Sequence, residues 1–177
     1  EALSRDPENA GALAFKRTSS LNIPIRLTSF IGREKELKEV ANLLSNSRLV
    51  TLTGSGGVGK TRLAIQVVAE VADRFPDGVW FLDLALLNDP SLVPSTLANL
   101  FKLRELEGLP IPDVLSNYLR FRTVLLIFDN CEHLIESCAQ LINSLLTTCA
   151  NLSVLATSRE ALRLSGEIPY RVPSLAL

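Results

Sequence analysis

Eight consecutive residues, Gly54-Ser55-Gly56-Gly57-Val58-Gly59-Lys60-Thr61, fit the pattern G-x-x-x-x-G-K-[ST]. The residue types suit one chemistry, the grip on a chain of phosphates. Glycines let the backbone curl so that successive N–H groups point inward at phosphate oxygens. Lys60 would reach the β- and γ-phosphates, and Thr61 would offer its hydroxyl to a Mg²⁺ ion bridging them. The pattern carries weight only where a strand leads into it and a helix follows. Leu49 to Thr53 is a short aliphatic and β-branched run before it. After it, Leu63, Ala64, Val67, Val68 and Val71 share one side of a helix predicted over 61–72. The N-terminus of that helix adds partial positive charge.

A second candidate is Val124-Leu125-Leu126-Ile127-Phe128-Asp129, an apolar run ending in a carboxylate, the Walker B pattern. A continuous apolar run reads as a strand buried on both faces. Its end places Asp129 at the C-terminal edge of a sheet, where open α/β folds bind ligands. There Asp129 would hold Mg²⁺ through a water. The next residue is Asn130, which can orient a water but cannot take its proton. Glu132 is a possible substitute, although a carboxylate there also suits the start of a helix. His133, the single histidine, reads as a helix first-turn residue at the surface or packed nearby.

The third element, Val154-Leu155-Ala156-Thr157-Ser158-Arg159, is again a buried strand with a polar end. Arg159 would read a γ-phosphate bidentately or pair at the surface with Glu160 or Glu167, and the residues leave both open. Arg163 and Arg171 read as solvated charges.

The elements that must position these residues alternate. Helices are predicted over 33–44, 61–72, 91–101 and 112–119, along the stripe Leu134 to Leu146, and briefly over 160–164. Strands are predicted over 49–53, 79–84, 123–128, 152–156 and 170–172. Alternation of this kind means an α/β domain with a parallel sheet. The chain has 177 residues, 47% of them hydrophobic, with 18 basic against 19 acidic side chains. The balance gives no electrostatic footprint for nucleic acid, and no segment approaches the roughly 20 apolar residues of a membrane span. Cys131, Cys138 and Cys149 form no C-x-x-C pair and read as packing residues of a cytoplasmic protein. The sequence contains no Met, position 1 included, as expected of a piece of a longer protein.

Together the motifs resemble the STAND class of P-loop NTPases, the NB-ARC-like signalling ATPases, over about residues 24–177. Phe30-Ile31-Gly32-Arg33-Glu34-Lys35-Glu36 is similar to the class's N-terminal h-h-G-R-E-x-E signature. Residues 54–61 match its phosphate loop, Leu125 to Asn130 its Walker B strand, and Thr157-Ser158-Arg159 its sensor segment. The wording is similar to bacterial multidomain regulators of the AfsR and LuxR-like type. The resemblance implies a three-layer core whose parallel sheet has strand order 5-1-4-3-2, with Phe30 and Ile31 against the adenine and Arg33 holding the nucleotide. The implied nucleotide-binding set is Phe30, Ile31, Arg33, Gly54, Gly56, Gly57, Val58, Gly59, Lys60, Thr61 and Arg62. Lys60, Asp129 and Arg159 are the implied catalytic set, and Thr61 and Asp129 the Mg²⁺ pair.

The expected division is a linker or upstream end over 1–27 and a nucleotide-binding core over 28–177, without the lid and winged-helix domains of the class. The expected function is an ATP/ADP switch with slow Mg²⁺-dependent hydrolysis, acting on other domains of the same chain, with a nucleotide-dependent homo-oligomer as a possible output. Two other readings compete, a scaffold permanently loaded with ADP and a small-molecule kinase.

Overall fold

Strands whose apolar residues occupy both parities need cover on two faces. The computed structural model, which describes residues 22–24 and 32–174, supplies both covers. The elements run α1 (Glu34–Asn46), β1 (Leu49–Thr53), α2 (Lys60–Val71), β2 (Val79–Asp83), α3 (Val93–Leu100), α4 (Ile111–Leu119), β3 (Val124–Asp129), α5 (Ile135–Thr148), β4 (Leu152–Ser158) and β5 (Glu167–Arg171). The five strands are parallel and lie in the order β2-β3-β4-β1-β5. This is the order that the resemblance implies, read from the opposite edge.

The period of two along each strand sorts the core. Val124, Leu126 and Phe128 of β3 pack with Leu97, Leu115, Cys138 and Ile142, under α3, α4 and α5. Leu125 and Ile127 pack with Leu44, Leu63 and Val67, under α1 and α2. Full burial of a side chain of this size is worth about 1.5–3 kcal/mol, so a one-residue slip in register would be costly on both faces at once. The same phasing continues past the apolar residues. Asp129 prolongs the Leu125–Ile127 face, Asp83 the Val79–Phe81 face, and Thr157 the face of Leu155. All three therefore stand on the α2 side of the sheet, at its C-terminal edge.

The two sheet edges are managed differently. At the β2 edge the Asn22 side chain acts as one residue of strand. Phe81 N–H donates to Asn22 Oδ1 at 2.6 Å, and Asn22 Nδ2 donates to Phe81 O at 3.2 Å. At the other edge β5 carries Pro169, which lacks a donor and suits an edge. The three cysteines are free and buried. Among the described residues no helix is long and apolar enough to cross a membrane.

Two expectations fail near the end of the chain. No helix forms over 160–164, and the last strand begins at Glu167 rather than Tyr170. The cause is the Glu167 carboxylate, which accepts hydrogen bonds from the N–H groups of Leu162 (2.8 Å), Arg163 (2.8 Å) and Leu164 (3.3 Å). Those amides are thereby gathered into a turn, with Arg163 at φ +63°. Replacing Glu167 by Ala should cost about 1–3 kcal/mol, the scale of leaving polar groups unsatisfied, with Gln recovering part of it. Thermal denaturation of E167A and E167Q checks this; an unchanged Tm for E167A would show that the turn does not depend on the carboxylate.

Candidate functional site

The loop between β1 and α2 is the Gly-rich segment, placed as its sequence demands. Gly59 caps α2 at φ +93°, a left-handed backbone that disfavours any side chain. Gly54 has no room for one, since a Cβ there would meet Val58 Cγ2 at 3.2 Å and the Val172 carbonyl at 3.4 Å. Lys60, the first residue of α2, is buried and folds back over the loop. Its Nζ donates to the carbonyls of Gly54 (2.8 Å) and Ser55 (2.9 Å). Bonds of this kind hold the ammonium over the loop where a phosphate would compete for it.

Thr61 follows and reaches across to the sheet. Its Oγ1 donates to Asp129 Oδ1 at 2.8 Å. The same carboxylate oxygen accepts from Thr157 Oγ1 at 2.6 Å, and Asn130 Nδ2 donates to Oδ2 at 3.0 Å. Asp129 is only 2% exposed. Burial pushes its carboxyl up from the usual carboxylate range, the Thr157 and Thr61 hydroxyls oppose this, and the nearby charges of Asp83 and Glu132 add to the rise. Thr157 Oγ1 also accepts from Asn130 N–H at 3.0 Å, which pins the residue after Asp129 at φ +61°.

A hydroxyl and a carboxylate 2.8 Å apart are hard oxygen donors. Among the described residues no cluster of three or more His, Cys, Asp or Glu could hold a metal. That donor set fits Mg²⁺, which is typically bound by one or two carboxylates and ligand phosphates while keeping several waters. It fits no all-protein cage.

Arg33 is 3% exposed and stands just before α1. Its Nη2 donates to Val58 O of the loop (2.7 Å) and to Pro173 O beyond β5 (3.0 Å), while Nη1 is buried with no partner among the described residues. Arg159 is exposed, and its Nη2 lies 3.7 Å from where a Cβ on Gly56 would stand. Arg159 forms no ion pair among the described residues. Arg163 pairs with Glu160 instead, at 3.2 Å, and Glu167 is engaged by the turn amides. Gly56, Gly57 and Val58 form the rest of the loop, and Arg62 lies in the first turn of α2. Phe30 and Ile31 lie outside the described residues.

Glu132 and His133 do not start a helix, because α5 begins at Ile135. They sit in the turn before it, where His133 Nε2 contacts Leu87 O at 2.7 Å and Glu132 Oε2 is buried without a partner. One residue escaped the sequence reading: Asp83, which joins the site through Asn130 Nδ2 at 3.3 Å. Thr157, read there only as part of the sensor segment, bonds Asp129. The available signal was the polar end of each neighbouring strand.

Because the folded Asp129 carboxyl lies above its unfolded value, the folded state binds the extra proton. The group thus lowers stability as pH rises from the unfolded value through the folded one. Asp129→Asn should therefore raise Tm at pH 7, with the gain shrinking toward pH 4. Thermal melts across that range check it; a gain that grows on acidification would reverse the sign.

The comparisons agree with this geometry. The NB-ARC domain model matches residues 33–162. An uncharacterized protein of Mycobacterium tuberculosis is 47% identical over 151 residues, covering 85% of this chain and 38% of its own length. Regulatory protein AfsR of Streptomyces coelicolor is 32% identical over 155 residues, covering 73% of this chain and 16% of its own. The chain thus spans well under half the length of these relatives. Among solved structures, the fold is similar to that of a Signal Transduction ATPase with Numerous Domains (STAND) protein with a tetratricopeptide repeat sensor from Pyrococcus horikoshii. That match has a TM-score of 0.59 and 20% identity, covering 84% of this chain and 24% of the other. The phosphate-type loop, the Walker B strand and the match over most of the sequence lead to one assignment: the chain belongs to the NB-ARC domain family, a P-loop ATPase-like class, and is similar to AfsR.

Proposed function

We propose that this chain is the ATP- and ADP-binding switch of a larger regulator of transcription or signalling. The observation that carries the reading is the 2.8 Å bond from Thr61 to Asp129, which joins the glycine loop to the Walker B strand. Loop N–H groups and Lys60 would bind the phosphates, Arg33 would brace the loop from behind, and Arg159 would read the γ-phosphate. Mg²⁺, held by Thr61 and Asp129, would neutralise charge on the β- and γ-phosphates. ATP and ADP would then favour different arrangements, and a switch works by that difference. Other domains of the full protein are its partners in this reading, and nucleotide-dependent self-association is its output. Neither nucleic acid nor a membrane is engaged by this part, and the location is the cytoplasm.

Hydrolysis is slow in this reading, because Asn130 cannot accept a proton. A scaffold that keeps ADP and never turns over is the competing reading, and the same Asn130 favours it.

Isothermal titration with ATP and ADP, each with Mg²⁺, tests the site. Lys60→Ala should weaken ATP at least about tenfold, since one charged hydrogen bond is worth about 1.5–3 kcal/mol. Thr61→Ala should reduce the gain in affinity that Mg²⁺ gives. Affinity unchanged in Lys60→Ala would refute the phosphate assignment.

A further inference from the structure

A positioned carboxylate can both orient an attacking water and take its proton. Three carboxylates stand near one another here, and their surroundings separate them. Asp129 is buried and occupied by two hydroxyls and an amide. Glu132 is half-buried, lies in the turn before α5, and has Oε2 buried without a partner among the described residues. Asp83 differs from both. It ends β2, sits in register with Asp129, shares the α2 side of the sheet, and is exposed. Its Oδ1 is fixed by Ala85 N–H at 2.9 Å and by Asn130 Nδ2 at 3.3 Å. Asn130 thus spends its amide bridging Asp83 and Asp129, held in a left-handed backbone at φ +61°.

We propose that Asp83, supplied by the neighbouring strand, orients and deprotonates the attacking water, with Asn130 as its positioning residue. The proposal rests on the ATP-hydrolysis reading above. The water oxygen forms a bond to the γ-phosphorus. The bond from that phosphorus to the β–γ bridging oxygen breaks, and its electron pair leaves with ADP. The water proton passes to the Asp83 carboxylate and on to solvent.

The test compares the unsubstituted chain, D83N, N130D and the double variant D83N/N130D. Each is titrated with Mg²⁺ and ATP, followed through single-turnover hydrolysis, and assayed for the nucleotide it retains on purification. D83N should bind ATP within about twofold of the parent and hydrolyse it about 100-fold more slowly, the usual contribution of a positioned base. It should retain ATP where the parent retains ADP. The double variant exchanges carboxylate and amide across the same hydrogen bond, and Asp tolerates the left-handed backbone as Asn does. Its turnover should return to within about tenfold of the parent. The swap also restores the hydrogen bond between the two positions, so a purely structural Asp83 shows itself in D83N instead, as ATP affinity lost in step with turnover; that parallel loss, or a double variant as slow as D83N, overturns the proposal. Undiminished turnover in D83N overturns it too. ATP binding without turnover in the parent overturns the role of Asp83 but leaves the nucleotide site standing. No ATP binding by the parent overturns the reading beneath it.

Discussion

The C-terminal edge of the sheet is organised around one buried carboxylate, Asp129. Removing a charge from water is costly unless hydrogen bonds replace the lost solvent. Here the replacements come from three different elements: Thr61 at the start of α2, Thr157 at the end of β4, and Asn130 one residue beyond β3. Bonds to a charged acceptor are worth about 1.5–3 kcal/mol each. They do not fully offset burial, since the carboxyl stays above its ordinary range. The residual cost lies where a metal ion would relieve it. Sites built for ligands commonly hold such a cost in reserve.

That convergence follows from strand phasing rather than from loop design. Asp129, Asp83 and Thr157 belong to one face because side chains alternate along a strand, and the register of β2, β3 and β4 brings their ends level. Covering that face with α2 puts Thr61 within reach of Asp129. The apolar residues upstream therefore set the aim of the polar residues at the edge. A one-residue slip of β3 would turn Asp129 toward α5 and expose Leu125 and Ile127 to the wrong layer.

The sequence made legible what depends on pattern within a segment. Continuous aliphatic runs located β1 to β4, helical stripes located the covering helices, and the glycine spacing located the loop. Contacts between segments escaped. The carboxylate of Glu167 converts 162–164 into a turn, and nothing in a local window distinguishes that from a short helix. Asp83, inside the strand predicted over 79–84, drew no notice because only the β2–β3 register makes it a neighbour of Asp129. The start of α5 at Ile135 was blurred by Glu132, whose type suits a first helical turn although its position does not reach one. Strand order itself came from family likeness, since no local feature says which strands pair.

Arg33 joins these separate themes. One nitrogen of its guanidinium holds the Val58 carbonyl in the glycine loop and the Pro173 carbonyl in the chain leaving β5. Its Nη1 is buried with no partner among the described residues. A buried cationic donor left unpaired is expensive, so the arrangement persists only while the surrounding backbone holds it. Val58 lies between the glycines of the loop, and Pro173 lies in the chain leaving β5. A shift of the loop relative to the chain leaving β5 would strain one of these two bonds. Arg33 therefore adds a side-chain link from phosphate loop to chain exit beside the direct approach of Gly54 to the Val172 carbonyl.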